Sequence, residues 1–455
     1  MKRNFLQKAV LVSLSVMLIG ISAGLSTGKQ VSADSANETD TKRTLKVLYW
    51  NEDDFNMKYG DLFSQKYPNT NIEVVGPAGM EAIVDYNGAI QKYSPDLVML
   101  PPYHYKQLST DKKLVDLEPL VKRDEYDMTT LYPGLLAELK KQGGGKLYGL
   151  SPKVDSYALL YNADLFKKYN VKIPSDGMTW GEILNLAQKF PTKGDKNSRI
   201  WGLSSFGSSN LVMDIARTEG LTYMDPNTLK ATANTTAWKN AYRLASEATK
   251  SGVLDERVSL SAKSYLESSS FIMGRSAMQV ASISQLQSLQ AAKSGVKNYK
   301  PFTLRIVAGP AAKDRESTGN IFINDIFAIP ADASHVDAAW EFIKYFNGDE
   351  YATEYYKPKS SNNSIGAPLS RMIKEYSGYK LESFYKLKPN LDPSITSYAI
   401  INKSPNFELR FHSILLKELT QVINGKKTIE KATAAIQSST QTITDKLTKA
   451  KTEKK

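Results

Sequence analysis

The chain has 455 residues, enough for two domains with cores of their own, and an ordinary globular composition of 41% hydrophobic and 23% charged residues. It contains no cysteine, which excludes disulfides, thiolate metal sites and thiol nucleophiles. The net charge of +12 suits anionic polymers, yet no basic stripe interleaved with aromatics is present, and no nucleic-acid partner is expected.

Lys2, Arg3 and Lys8 precede an apolar run at 9–25, and Val31, Ser32 and Ala33 place small residues at an exit. Residues 1–33 therefore read as a secretory signal peptide, with an uncleaved membrane anchor as the alternative for a run of this length. Its removal takes away four cations (Lys2, Arg3, Lys8 and Lys29) and no acid, leaving +8. Residues 34–43 are polar and without period, and read as a flexible leader.

Strands are expected at 44–50, 72–75 and 96–100 and helices at 55–67 and 82–93, with Pro68-Asn69 and Pro101-Pro102 as stops. This alternation predicts an α/β layer with a mostly parallel sheet. Gly143-Gly144-Gly145 breaks a helix, and strands follow at 147–150 and 157–161. Asn162 caps a helix carrying Leu165, Phe166 and Tyr169. Thr179 and Glu182 stand at capping-box spacing ahead of Ile183, Leu184, Ala187 and Phe190 on one helical face.

The pattern continues with a strand at 199–205, helices at 210–219 and 236–251, and a helix end running into a strand over 271–280. Strands at 303–307 and 321–330 lead to a helix at 336–347. Ser334 and Asp337 offer its cap, and Trp340, Ile343 and Phe346 line one face. Residues 408–447 are helical apart from a break at Asn424-Gly425-Lys426, and 447–455 form a basic tail. Trp180, Trp201, Trp238 and Trp340 all read as core residues.

Templates for catalysis find no match. His104, His335 and His412 are far apart without H-E-x-x-H spacing, and neither a metal site nor a cofactor is expected. There is no G-x-S-x-G elbow, Walker loop or G-x-G-x-x-G fingerprint. The glycine triplet leads into a strand, so it lacks the helix N-terminus of a phosphate loop. Glu52, Asp53 and Asp54 cluster, but separation in space decides whether acids make a glycosidase. Tyr355-Tyr356 brings phenolate iron ligands to mind, while the spacing of Tyr351 and Tyr355 reads as a packed helical face.

The run at 146–190, KLYGLSPKVDSYALLYNADLFKKYNVKIPSDGMTWGEILNLAQKF, resembles the "YGLP…YYN…LF…TW-E-L…A" signature of maltose-binding-type extracellular solute-binding proteins, which feed ABC importers. FIMGRSAMQV at 271–280 and IFINDIFAIP at 321–330 follow in the family's order, as does an ending at 418–432 with Lys431 in place of a small residue. The resemblance implies an α/β, two-lobed periplasmic-binding-protein-like (type II) fold with discontinuous lobes joined by hinge strands. Lobe one would take 44–150 plus 305–362 and lobe two 156–300 plus 365–446, with the strand at 303–307 crossing back to lobe one. It further implies a secreted, monomeric, non-catalytic receptor at the outer face of a Gram-positive membrane or wall. Such a receptor captures a small solute, a sugar or oligosaccharide by preference, and delivers it to an ABC permease. The missing cysteine implies that no lipid anchor holds it. A polyamine or metal chelate as ligand, a polysaccharide-active enzyme and a wall-associated sensor are the alternatives.

Ligands in open α/β sheets gather at the carboxyl ends of strands, which selects particular residues. Trp50, Asn51, Glu52 and Asp53 offer an aromatic plane and planar polar groups for a sugar, or else core packing and helix-cap charge. Tyr103 follows the strand at 96–100, on a surface loop if not in a cleft. Lys153, Asp155 and Ser156 lie near the expected hinge, to touch ligand or to support the crossing strands. Phe206 stands just beyond the strand at 199–205, and Ser282 and Ser284 follow the strand ending at 280. Asn324 and Asp325 interrupt an apolar run, which places them at a cleft edge or a bulge.

Overall fold

In β1 (Arg43–Leu48) buried Leu45 and Val47 alternate with the more open Thr44 and Lys46, the period-2 pattern of a strand. The computed structural model describes residues 42–77, 85–195, 198–205, 207–225, 227–256, 262–323, 325–355, 370–392, 395–397 and 407–452. The expected signal peptide, most of the leader, Phe206, Asn324, Tyr356 and the lobe limits at 362 and 365 lie outside these residues.

β1 pairs in parallel with β2 (Thr70–Val75) and β3 (Leu97–Leu100), the latter buried along its whole length. The helix between β1 and β2 begins at Glu52, not 55, because the Asn51 side chain accepts from the Asp54 N–H at 2.7 Å. It runs as Glu52–Phe55, a π turn over Asn56–Gly60, and Asp61–Lys66. Tyr103, expected in a cleft or on a surface loop, belongs to the helix Pro102–Thr110, whose proline stands at the first turn where no N–H is needed.

The first sheet is completed by β4 (Gly149–Leu150). The second begins with β5 (Asp155–Asn162), β6 (Trp201–Ser204) and β7 (Leu254–Asp255). It continues with β8 (Ser276–Ser282) and β9 (Leu304–Val307). β10 (Ser317–Thr318) pairs instead with Lys388–Pro389. β11 (Ile321–Phe322) returns to the second sheet and β12 (Ile326–Ala328) to the first. The first sheet has the order β2-β1-β3-β12-β4, the second β11-β5-β8-β6-β7 with β9 also on β5.

Three expectations are corrected here. Both sheets are mixed, because β12 runs antiparallel to β3 and β4, and β5 antiparallel to β8, β9 and β11. Leu304–Val307 does not return to the first lobe but pairs with Leu159–Asn162 in the second sheet. The run at 321–330 is not one strand: Ile321 and Phe322 pair with Ser156 and Asp155, whereas Ile326–Ala328 pair with Leu100, Met99 and Val98.

A fourth correction concerns the helix Val336–Phe346, which has no Ser334 cap; its N-cap is His335, whose side chain caps no helix N–H and bonds to Asp96. The buried Asp96 carboxylate instead accepts from the His335 N–H at 2.9 Å and the Lys46 N–H at 3.1 Å, tying the helix to β1. The capping box of Thr179 and Glu182 forms as expected, and Asn162 and Gly252 cap their helices.

The faces of β5 show how the cores are shared. Ala158 and Leu160 join one apolar cluster with the first sheet, while Leu159 and Tyr161 join another with Trp180, Trp238 and Phe411. Within the first cluster, Phe342 is packed among Phe63 (5.0 Å), Phe327 (5.1 Å) and Phe346 (4.5 Å), with Tyr59 at 5.1 Å from both Phe327 and Phe346. Phe342→Ala should lower the unfolding free energy by about 3–5 kcal/mol in urea denaturation. A loss below about 1 kcal/mol would show that neighbouring rings close the gap.

Candidate functional site

Between Leu150 and Asp155 the chain leaves the first sheet for the second, and between Phe322 and Ile326 it does so in the opposite sense. The two passes lie side by side. Leu150 opposes Phe327 on one side of the crossing, and Asp155 opposes Phe322 on the other. Gly149 permits the close approach, since a Cβ there would lie 2.8 Å from the Phe327 carbonyl oxygen.

Asp325 sits on one pass and accepts a 2.6 Å hydrogen bond from the hydroxyl of buried Tyr59. Lys153 sits on the other, its ammonium 5.1 Å from the Tyr59 ring and 5.4 Å from that of Tyr355. Burial pushes the Lys153 pKa down, partly offset by Asp325 and Asp54. The Tyr59 hydroxyl is held far above its ordinary range by burial and by Asp325.

Lys58 and Tyr59 lie in the π turn beside this place. Its wider winding, closed by the Asp61 N–H on the Asn56 carbonyl, changes the angle between successive side chains. Lys58 reaches the Asp54 carboxylate at 2.8 Å and lies 5.8 Å from the Trp50 ring, while Tyr59 turns to Asp325. Gly60 is buried, and a Cβ on it would fall 2.3 Å from the Asn56 side-chain oxygen. Asp54 also accepts from Tyr49 at 2.8 Å. Burial opposes its charge, but Lys58 and Tyr49 outweigh that and hold the carboxyl below the usual range. Trp50, half-buried, stacks on Tyr49 at 3.8 Å.

On the second sheet's side, Asp155 and Tyr157 alternate with buried Val154, Ser156 and Ala158. The Tyr157 ring meets Phe322 edge-on at 5.9 Å, and the Arg217 guanidinium lies 5.0 Å from Phe322 and 3.0 Å from Asp214. Asp214 keeps 40% of its side chain open to solvent, yet surrounding protein raises its pKa against the pull of Arg217. Burial pushes the Asp155 carboxyl from its ordinary value near 3.8 up to about 6, opposed by a hydrogen bond from Tyr157.

The expected residues thus divide. Trp50 and Asn51, with Glu52 and Asp53 exposed in the first helical turn, stand beside Asp54 and Lys58. Lys153 and Asp325 meet around Tyr59, and Asp155 adjoins Tyr157 and Phe322. Tyr103 is half-buried on its helix, 5.0 Å from His104, whose ring lies 4.5 Å from Tyr86. Ser284 opens the helix Ser284–Gly295 and shares a 2.8 Å hydrogen bond with Ser282, which lies opposite Tyr157. Ser156 faces the other way, fully buried, and donates to the Phe384 carbonyl. The sequence reading names Asp54 only within an acidic cluster and does not single out Lys58, Tyr59, Tyr157, Asp214 or Arg217. Period-2 spacing from Lys153 and Asp155 marks Tyr157, but nothing local marks the π turn. Among the described residues no group of three His, Asp or Glu could hold a metal ion, and no helix is long and apolar enough to cross a membrane.

A family model described as bacterial extracellular solute-binding protein matches residues 58–365. The arabinooligosaccharide-binding protein of Bacillus subtilis (strain 168) is 27% identical over 186 residues, which is 40% of this chain and 40% of that relative's length. An extracellular solute-binding protein family 1 structure from Alicyclobacillus acidocaldarius is similar with a TM-score of 0.60 at 16% identity, covering 90% of this chain and 100% of that one. The sugar-binding protein MalE from Xanthomonas citri gives 0.57 at 15% identity, covering 90% and 98%. These likenesses show the two-lobed α/β fold.

The raised Asp155 pKa has a measurable sign. The folded protein holds that proton more tightly than the unfolded chain, so this group costs stability as pH rises from about 4 to about 6. Asp155→Asn should therefore melt progressively above the wild type between pH 4 and 7, with little difference at pH 4. A melting difference that does not vary with pH would show that folding leaves the Asp155 carboxyl hydrated.

Proposed function

The chain belongs to the bacterial extracellular solute-binding proteins, and on that premise we propose that it captures a sugar or oligosaccharide between its lobes and delivers it to an ABC-type permease. The observation that carries the reading is the set of groups around the crossing. A half-buried indole, Trp50, adjoins the Asp54–Lys58 pair, and Lys153 and Asp325 stand nearby around Tyr59. An aromatic plane suits the C–H face of a sugar ring, and alternating donors and acceptors suit its hydroxyls. The arabinooligosaccharide-binding relative supports the same class.

In this reading the protein works as a monomer and performs no covalent chemistry. The crossing is the hinge, so closure turns one lobe on the other and expels water from the ligand. Residues 44–150 belong to lobe one and most of 156–307 to lobe two, with β9 kept in the latter by its pairing with β5. Secretion through a signal peptide at 1–33 places the receptor outside the cell, at the membrane or wall surface.

A thermal-shift screen of the purified protein against oligosaccharides, polyamines and metal chelates tests the reading. A true ligand at a hundredfold excess over its dissociation constant stabilises the fold by about 3 kcal/mol. Saccharides should do so. Stabilisation by polyamines or chelates alone would overturn the sugar assignment, and release of an altered product would overturn the receptor itself. Trp50→Ala should weaken saccharide binding by about 1 kcal/mol or more; unchanged affinity would assign Trp50 to packing against Tyr49.

A further inference from the structure

Between Glu267 and Asp314 the chain carries no acid, although acids make up 47 of its 455 residues. The same stretch carries six cations, four of them within 293–305: Lys293, Lys297, Lys300 and Arg305. Packing decides which way they point. Val296, Tyr299 and Phe302 lie against the core at three-residue spacing, and Phe302 meets Phe271 edge-on at 5.6 Å. Lys297, Lys300 and Arg305 are exposed, as is Lys293 near the end of the helix Ser284–Gly295.

The helix Ala163–Lys168 continues this basic face. Its first turn grips the segment: the Ala163 N–H donates to the Thr303 carbonyl at 2.9 Å, and the Asp164 carboxylate accepts from the Thr303 N–H at 2.9 Å. Lys167 and Lys168, both exposed, follow Asp164 at i+3 and i+4 and so share its side of the helix. Among the described residues, none of Lys167, Lys168, Lys293, Lys297, Lys300 and Arg305 has a carboxylate within ion-pair distance. Other surface lysines are matched, Lys66 with Glu350 at 2.8 Å and Lys388 with Glu316 at 2.5 Å. Cations gathered without counter-charge raise a positive potential that an anionic surface relieves.

An apolar group adjoins them. The Val171 N–H bonds back to the Phe166 carbonyl at 3.0 Å, which keeps the next residues beside the helix end, and there Ile173 is 58% exposed. A soluble polyanion offers an isoleucine nothing, whereas a headgroup layer admits it. The whole face lies at the Asn162 end of β5, about 23 Å of extended chain from Asp155 at the crossing, so covering it leaves the crossing open.

We propose that this basic face binds the anionic headgroups of a lipid bilayer and holds the receptor against the membrane in which its permease sits. The choice of a bilayer among polyanions rests on Ile173 and on the permease-delivery reading above. Lysine and arginine donate to headgroup phosphate oxygens, and each cation near such a surface strengthens binding about fivefold.

The test is sedimentation of the full chain with vesicles of equal parts phosphatidylglycerol and phosphatidylcholine, and with phosphatidylcholine alone. The mixed vesicles should bind it more tightly, and about 0.5 M salt should release it. Lys297→Gln with Lys300→Gln, and Lys167→Gln with Lys168→Gln, should weaken binding about fivefold per lysine at unchanged melting temperature. Lys66→Gln with Lys388→Gln removes equal charge elsewhere and should leave binding unchanged. Equal loss in all three double variants would assign the attraction to net charge and overturn the proposal. Binding that survives both the patch variants and high salt would belong to the apolar run at 9–25, and would overturn it too. Ile173→Ser should weaken vesicle binding about fivefold without affecting soluble polyphosphate. Polyphosphate bound as tightly as vesicles, with Ile173 indifferent, would overturn the lipid surface. Stabilisation by saccharides is read separately on the same protein. Saccharide binding without vesicle binding sinks this proposal alone; vesicle binding without saccharide binding sinks the capture reading and leaves the basic face standing.

Discussion

The side-by-side passage of two chain segments from one sheet to the other is the constraint on which this molecule depends. Leu150 faces Phe327 before the passage and Asp155 faces Phe322 after it. In the receptor proposed above, rotation of one sheet against the other would bend the chain between these paired positions. Backbone that bends there is flanked on both sides by paired strands, which confines the motion to a short, defined pivot. Lys153 and Asp325 lie on these two passages, where the proposed open–closed change would be felt directly.

What holds these groups is aromatic packing rather than ion pairing. Tyr59 is clamped by Phe327 and Phe346, and its hydroxyl orients Asp325. The same ring offers its face to Lys153. Phe327 belongs to β12 and Phe346 to the helix Val336–Phe346, which Asp96 in turn ties to β1. The polar crossing is thus supported by a core that continues beneath it, as the binding surface proposed there requires.

Much of the scaffold was legible because its signals are local. Thr179 and Glu182 form their capping box, Asn162 and Gly252 cap where their types predict, and Trp180, Ile183, Leu184 and Ala187 share a buried face. A strand end likewise leads to Trp50 and Asn51, which stand beside Asp54 and Lys58. The errors are of another kind. The apolar run at 321–330 has one hydropathy pattern but two sets of partners, so its division at Ile323 is invisible without them. The cap expected at Ser334 was displaced by a carboxylate distant in sequence. Lys58 and Tyr59 stand at ordinary i,i+4 spacing from Asp54 and Phe55, and what the sequence does not record is that Tyr59 meets Asp325 and Lys153.

The sequence by itself determined the alternation of strands and helices, their caps, and the order of motifs that marks the family. Those features are set within a few residues by backbone hydrogen bonding and side-chain periodicity. Only the tertiary structure decided which sheet each strand joins and which side chains meet at the crossing. Tyr59 and Asp325 are 266 residues apart in the chain, and Arg217 reaches Phe322 from a separate helix. A site of this kind is assembled by strand pairing and core packing between distant segments, and no local pattern records that assembly.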